Sequence, residues 1–236
     1  MRNIFGEQKK PGPQDDGEHW LSVSDLMAAL MMVFLFIAVA LMRQAFQDRD
    51  RMRDIAVTYQ DKQVAIFDAL REEFEQDLER WDAHIEQDTL AFEFRSPDIL
   101  FRQGAADLRP RFRTILDDFF PRYINALDPF RESIDEVRIE GHTSSIWNLS
   151  TSPDNAYFLN MQLSQARTRA VLDYVFRLRG VAPARPWIKR HVAAVGLSSS
   201  RPVLDRDGDE DHAASRRVSF RVITNAETQI RKVLDN

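Results

Sequence analysis

The 236-residue sequence contains no cysteine, which excludes a disulfide framework and a thiolate metal site. It also has neither glycine nor proline between Glu18 and Ser96, an absence typical of a long helix. The net charge of -5 gives no basic excess and argues against a general nucleic-acid binder. Its five histidines are scattered without a paired nucleophile or ligand spacing, so we expect no enzyme activity, no cofactor and no bound metal.

One long apolar segment stands apart from this otherwise charged chain. Leu26 to Met42 contains no charged residue, and the span 20–42 reaches about 34 Å as a helix, enough to cross a bilayer. A cleaved signal peptide is the alternative, but no small-x-small cleavage site follows. The Lys and Arg residues on the two sides do not favour either orientation. We therefore predict a retained transmembrane helix.

Asp25 lies within the span 20–42, directly before the uncharged run that begins at Leu26. An ionised carboxylate in the apolar region of a bilayer costs about 2.5–3.5 kcal/mol, so such a residue is typical of an ion carrier. Ala28 and Ala29 follow on the same helical face, and small residues let another helix approach closely. The alternative is that Asp25 caps the start of the helix, because Asp is a good helix starter. The sequence alone does not decide between an ion carrier and a helix cap.

A second periodic stretch follows the apolar segment. Its apolar residues recur at steps of three and four, which predicts a juxtamembrane helix over 43–89. The stripe consists of Phe67, Leu70, Phe74, Leu78, Trp81 and Ile85. Such a stripe suits a partner helix or a coiled coil, which would make this helix a dimerisation or plug element. It equally suits a helix that packs on its own domain.

The remaining sequence alternates between strand and helix patterns. Strands are predicted over 90–94, 134–140, 187–195 and 218–223, and helices over 108–127 and 155–179. This order predicts an α+β fold, a small sandwich with helices on a mixed sheet. The apolar face predicted for the second helix comprises Leu159, Leu163, Ala166, Ala170 and Val171.

The polar loop 196–215 contains an acidic run. Asp205, Asp207 and Asp209 take positions one, three and five of an EF-hand loop. However, Glu210 stands where glycine is needed and Arg216 where a bidentate Glu is needed. We therefore expect a solvated acidic loop.

Five segments, in order along the chain, resemble an OmpA-like peptidoglycan-binding domain. They are Ile-Leu-Phe-Arg-Gln-Gly-Ala-Ala-Asp-Leu-Arg-Pro (99–110), Ile-Glu-Gly-His-Thr (139–143), Leu-Asn-Met-Gln-Leu-Ser-Gln-Ala-Arg (159–167), Val-Gly-Leu-Ser-Ser-Ser-Arg-Pro-Val (195–203) and Arg-Arg-Val (216–218). The resemblance implies a β/α sandwich over 90–225 that grips the diaminopimelate end of the peptidoglycan stem peptide. It assigns the binding to His142, Thr143, Ser144, Asn160, Leu163, Ser164, Arg167 and Arg216.

The sequence departs from this family at two places. The family carries an Asp after Gly-His-Thr, and that Asp and the motif Arg, here Arg167, hold the zwitterionic end of the ligand. Ser144 takes the place of that Asp and an insertion follows over 145–154, so Asp154 is a candidate substitute. His212 and Ser215 stand where the family usually has Arg and Asn. The alternative for Arg167 is a structural pair with a neighbouring carboxylate.

The overall layout resembles the B subunits of rotary stators, among them the flagellar MotB and PomB proteins. Ser-Val-Ser-Asp-Leu-Met (22–27) and Phe-Leu-Phe-Ile-Ala (34–38) are more similar to the ZorB proteins of the Zorya antiphage systems. This resemblance implies that Asp25 carries protons. It also implies a cytoplasmic tail over 1–19, a transmembrane helix over 20–42 and a C-terminal tail over 226–236.

The same resemblance implies the cellular setting. The chain would lie in the bacterial inner membrane with its N-terminus in the cytoplasm and its C-terminal domain in the periplasm. As a homodimer, it would sit inside a pentameric ring of MotA-like, ZorA-type membrane subunits and act indirectly on cytoplasmic effectors. Three alternatives remain: a flagellar stator subunit, a static envelope tether without ion flow, and a transport subunit of the ExbD or TolR type, whose periplasmic domains are smaller.

Overall fold

The computed structural model describes residues 16–95, 100–102, 104–148 and 150–225. The predicted C-terminal tail over 226–236 and most of the predicted N-terminal tail lie outside these residues. The chain divides into two compact units, residues 1–54 and 55–236. Helix α1 (Asp16–Trp81) begins in the first unit and ends in the second.

The first unit contributes a helix with its apolar side chains uncovered. Leu26 is 72% exposed and Phe36 is 76% exposed, although both would normally be buried in a soluble domain. The part of α1 over Ser24–Asp54 is long and apolar enough to cross a membrane. Its length and composition therefore fit the predicted transmembrane helix.

The second unit is a five-stranded sheet covered by helices. Its strands are β1 (Ala83–Glu86), β2 (Ala91–Phe94), β3 (Ile134–His142), β4 (Val192–Ser198) and β5 (Val218–Thr224). Its other helices are α2 (Pro110–Leu127), α3 (Pro153–Arg177), α4 (Arg185–His191) and the short α5 (His212–Ser215), with 3₁₀ turns at Asp128–Ser133 and Arg179–Ala184. The strand order is β1-β2-β5-β3-β4, in which only β3 and β4 run parallel, so the predicted mixed sheet is confirmed.

The end of α1 packs into this domain. Ile66, Leu70, Phe74 and Trp81 are buried in the hydrophobic core, where the Phe74 ring centroid lies 5.2 Å from those of Phe92 and Phe119. The apolar stripe therefore covers its own domain, and these four side chains are not available for a coiled coil.

Polar contacts also join α1 to α2. Arg122 Nε lies 2.6 Å from Glu73 Oε1, and Arg122 Nη1 lies 2.8 Å from Asp77 Oδ2 and 3.3 Å from Asp118 Oδ1. These charge-assisted bonds raise the pKa of Arg122 even though burial alone would lower it. We refer to Glu73, Asp77, Asp118 and Arg122 as the Arg122 cluster.

The helix predicted over 43–89 ends earlier, at Trp81. Asp82 takes the left-handed conformation with φ +50°, and the chain then enters the β1–β2 hairpin, in which Ile85 is a buried strand residue. Asp is one of the few non-glycine residues that adopts this conformation readily. The helix therefore ends without the glycine that usually marks such a point in a sequence.

The strand predicted over 187–195 is wrong for its first half. Residues Arg185–His191 form α4, and β4 begins only at Val192. Pro186 lies in the first turn of α4, where its fixed φ favours a helix start. Trp187 and Ile188 lie on this helix, and their side chains are buried in the core.

The predicted apolar face of α3 is also wrong, except at Val171. The buried residues of α3 are Ala156, Asn160, Ser164, Thr168, Val171 and Val175, whereas Leu159 is exposed. The reason lies in two glycines of the sheet, Gly141 on β3 and Gly196 on β4, which pair directly with each other. A Cβ at Gly141 would lie 2.7 Å from Thr168 Cγ2, and a Cβ at Gly196 would lie 2.7 Å from Ser164 Oγ. The helix packs so closely that only small side chains fit beneath it.

Candidate functional site

A cavity of about 490 Å³ opens where α3 meets the end of β3. Its lining residues are Phe101, Gly104, Thr143, Ser144, Ile146, Trp147, Asn160, Leu163, Arg167, His212 and Arg216. Six of the eight residues predicted to bind peptidoglycan are in this set: Thr143, Ser144, Asn160, Leu163, Arg167 and Arg216. The fold thus brings together residues from three segments that are far apart in sequence.

Arg167 projects from α3 and is fixed by backbone and ring contacts. Its Nε donates to Ala105 O at 2.9 Å, its Nη2 donates to Arg102 O at 3.4 Å, and its guanidinium lies 4.8 Å from the Phe101 ring centroid. These partners leave its charge without a carboxylate within 4 Å among the described residues, so the expected alternative of a structural ion pair is wrong there. Burial and the nearby Arg216 lower the pKa of Arg167 to about 10, and it stays charged at neutral pH.

Asn160 holds the loop that carries Ser144. The buried Asn160 side chain donates from Nδ2 to Ser144 O at 3.0 Å. On the other side of the loop, Thr143 N donates to Ser198 O at 2.9 Å. Losing either bond would leave a buried polar group unpaired, at a cost of about 1–3 kcal/mol. Asn160 therefore positions this wall of the cavity.

Ser164 does not line the cavity. It is fully buried, its hydroxyl donates to Met161 O at 2.9 Å, and it accepts a bond from Ser198 N at 3.1 Å. These bonds tie α3 to the end of β4. Because Arg167 follows Ser164 by one turn on the same helix, Ser164 sets where the guanidinium lies.

His142 is likewise buried beneath the cavity. Its Nε2 lies 3.6 Å from Glu140 Oε2 and 3.5 Å from Ser219 Oγ. Burial lowers the pKa of His142, although Glu140 partly opposes this shift. Burial alone would raise the pKa of Glu140, but its contact with His142 and the guanidinium groups of Arg221 and Arg201, each 3.8 Å from the carboxylate, hold that pKa below its usual value. His142 therefore supports the sheet end and carries no charge at neutral pH.

The insertion over 145–154 forms part of the site, which the sequence did not predict. Ile146 and Trp147 line the cavity, and they are 51% and 36% exposed. Ser145 anchors the loop: its backbone N donates to Glu210 Oε1 at 3.0 Å, and its hydroxyl donates to Glu210 Oε2. Glu210 Oε2 also lies 3.1 Å from Nδ1 of the lining residue His212. A direct signal for this pairing, 65 residues apart, is absent from the sequence.

Asp154, the expected substitute for the missing Asp, is exposed in the first turn of α3 and does not line the cavity.

Carboxylates of the acidic loop accept hydrogen bonds from backbone nitrogens of the same stretch of chain. Asp205 Oδ1 accepts from Asp207 N and Asp209 N, and Asp211 Oδ1 accepts from the first turn of α5. Within the described part of the chain, no three acidic or His side chains are grouped to hold a metal ion.

Asp25, the predicted ion carrier, lies on α1 in the other unit. The helix begins at Asp16, so Asp25 is about two and a half turns inside it. A capping residue sits at the first position of a helix, and Asp25 therefore does not cap α1. Its neighbours Leu26 and Met27 are 72% and 63% exposed, so the carboxyl group lies on an apolar, uncovered part of the helix.

Comparisons with known proteins agree with both units. Residues 100–216 match the OmpA family. The chain is 52% identical over 234 residues to the Zorya protein ZorB of Escherichia coli (strain Crooks), and the alignment covers 99% of each chain. The crystal structure of a MotB-like protein from Desulfovibrio vulgaris matches 71% of this chain and 97% of its own, with 22% identity and a TM-score of 0.50. That last likeness concerns the fold.

Proposed function

This chain belongs to the ZorB family of Zorya proteins, and from that membership we propose that it is the peptidoglycan-tethered B subunit of a proton-driven rotary motor in antiphage defence. The observation that carries the proposal is the extent of the identity, 52% over 99% of the chain. The likeness thus includes the apolar part of α1 as well as the OmpA-like domain. A shared domain alone would support only a wall-binding protein.

The proposed motor depends on Asp25. We assign residues 20–42 to the inner membrane, where Asp25 takes up and releases protons. Its interior position on α1 and the exposed apolar residues around it support this role. One charge that crosses about 100 mV releases about 2.3 kcal/mol, enough to bias a conformational step but not to disrupt a fold. Many protons therefore act in sequence.

The proposed tether depends on the cavity. Arg167 and Arg216 offer guanidinium groups to a peptide carboxylate, and Thr143, Ser144, Asn160 and Leu163 shape the walls around them. His142 and Ser164 act beneath the cavity by positioning these residues. A B subunit that is fixed to the cell wall stays stationary, so that the surrounding ring of membrane subunits can exert torque against it.

The proposed assembly follows from the same family membership. The tail 1–19 lies in the cytoplasm, and the domain 90–225, with the buried end of α1, lies in the periplasm. The segment 43–89 leads from the membrane into that domain, and 226–236 is a tail. Two copies sit within five ZorA-type subunits, and ion-driven rotation signals to cytoplasmic effectors. We assign no enzymatic role.

A deletion experiment tests this assignment against the flagellar alternative. Cells that carry the native gene set are compared with cells that lack only this gene, in both a phage-plating assay and a soft-agar motility assay. We expect deletion to abolish protection and to leave motility unchanged, and we expect the gene on a plasmid to restore protection. Lost motility with intact protection would overturn the assignment in favour of a flagellar stator.

A further inference from the structure

We propose that the cavity selects a peptide carboxylate whose neighbouring nitrogen is acylated, as in a cross-linked stem peptide, over one that carries a free ammonium group. The proposal rests on the proposed peptidoglycan binding and names the form of the ligand. A cross-linked peptide has its side-chain amine converted to an amide, so that end of the ligand carries a negative charge without the positive one.

The charges that line the cavity have one sign. Arg167 and Arg216 contribute guanidinium groups, and they lie close enough that Arg216 helps to lower the pKa of Arg167. His212 adds an imidazole. Among the described residues that line the cavity, none is an Asp or a Glu. A carboxylate therefore finds forked donors here, whereas an ammonium group meets like charge.

Two acidic side chains close to lining residues, Glu210 and Asp211, are already engaged. Asp211 Oδ1 accepts from Ala213 N and Ala214 N. Glu210 accepts bonds from the backbone N and the hydroxyl of Ser145, and it also pairs with His212. The Glu210 side chain is only 13% exposed. Its carboxylate thus holds the insertion loop in place, and a ligand ammonium group would have to displace these partners to reach it.

Part of the cavity lining is apolar. Phe101, Ile146, Trp147 and Leu163 supply aromatic and aliphatic surface, and two of them come from the insertion. Ser144 adds a neutral side chain to the lining, and its hydroxyl donates to Ile146 O at 3.5 Å. An acyl group can bury its carbon atoms against this surface, whereas a free ammonium group would lose its hydration there without a counter-charge. The cationic and the apolar parts of the lining therefore both favour the acylated form.

A pair of matched ligands tests the proposal on the full-length protein in lipid nanodiscs. The first is the tripeptide L-Ala-γ-D-Glu-meso-diaminopimelate with its side-chain amine free, and the second is the same peptide acetylated at that nitrogen. We expect the acetylated peptide to bind about tenfold more tightly in calorimetry, because it avoids one like-charge contact. Equal affinities, or tighter binding of the free amine, would overturn the proposal.

Two substitutions at one position sharpen this result. Ser144→Asp adds the missing negative charge and is expected to reverse the preference towards the free amine. Ser144→Asn has a similar shape without the charge and is expected to keep the wild-type order. An unchanged order in a folded Ser144→Asp variant would count against the proposal, and the wild-type comparison stands on its own if that variant does not fold.

Sedimentation with purified sacculi separates this inference from the proposed function. Arg167-dependent sedimentation together with a preference for the free amine would overturn the inference and leave the tether intact. Absence of sedimentation, with neither peptide bound, would overturn both.

Discussion

Gly196→Ala is expected to damage both stability and binding, because it adds a methyl group at the closest contact between α3 and the sheet. The new Cβ would lie 2.7 Å from Ser164 Oγ and closer still to the backbone nitrogen of Gln165. Backbone cannot yield as a flexible side chain does, so α3 must move. Overpacking of a core costs about 1–3 kcal/mol, and we place this change at about 2–3 kcal/mol. At about 2–4 °C per kcal/mol, the Tm falls by about 4–12 °C.

The matched control is Gly208→Ala. Gly208 has φ +89° and no atom within 4 Å of an added Cβ, so alanine there meets backbone strain alone, about 1–2 kcal/mol. Both variants are compared with wild type by thermal unfolding in detergent and by sedimentation with sacculi well below the Tm. We expect weakened sedimentation only for Gly196→Ala, since Arg167 moves with α3. If the two variants sediment alike, the close helix packing does not set the site and the reasoning is wrong.

Three further changes test other parts of the account. Arg167→Lys keeps the charge but loses the fork, so sacculus binding should weaken about tenfold or more, while Arg177→Lys on the same helix should bind like wild type. Burial lowers the pKa of His142, so as the pH falls the unfolded chain takes up this proton before the folded chain does. The Tm should therefore fall as pH drops below about 6.5, and His142→Gln should remove most of that fall. The same dependence of Tm on pH in wild type and His142→Gln would contradict this role of His142. Arg122→Met leaves the three carboxylates of the Arg122 cluster without the guanidinium group of Arg122. After allowance for solvent screening, it should lower the free energy of unfolding in urea denaturation by about 1–2 kcal/mol. An unchanged free energy of unfolding would show that the cluster does not hold α1 against α2.

Hydrophobic periodicity predicted helices and strands correctly wherever the periodic apolar residues are the ones that are buried. The α+β class, the mixed sheet and the strands at 134–140 and 218–223 were correct, because large apolar residues on these strands do face the core. Periodicity failed on α3, where Gly141 and Gly196 draw the helix so close that serine and threonine occupy the buried face. Hydropathy cannot indicate a buried face whose packing depends on small size.

Much of the site was predictable from short motifs, since most of the residues they named line one cavity. The insertion was not, because Ile146 and Trp147 reach the cavity through the contact between Ser145 and Glu210, which joins two loops. Likewise, the stripe on α1 had two physically equal interpretations, and only the packing of Phe74 against the sheet decides between them. Local patterns carry no information about which distant segment supplies the partner.

The most direct test of the central claim concerns the charge of Asp25. Cells with the complete gene set are challenged with phage, and wild type is compared with Asp25→Asn and with Asp25→Glu, which keeps a carboxyl group, at equal membrane levels checked by blotting. The account predicts that Asp25→Asn abolishes protection, because an amide cannot take up and release a proton, and that Asp25→Glu retains at least part of it. Full protection by Asp25→Asn would contradict the account and leave this protein as a static tether.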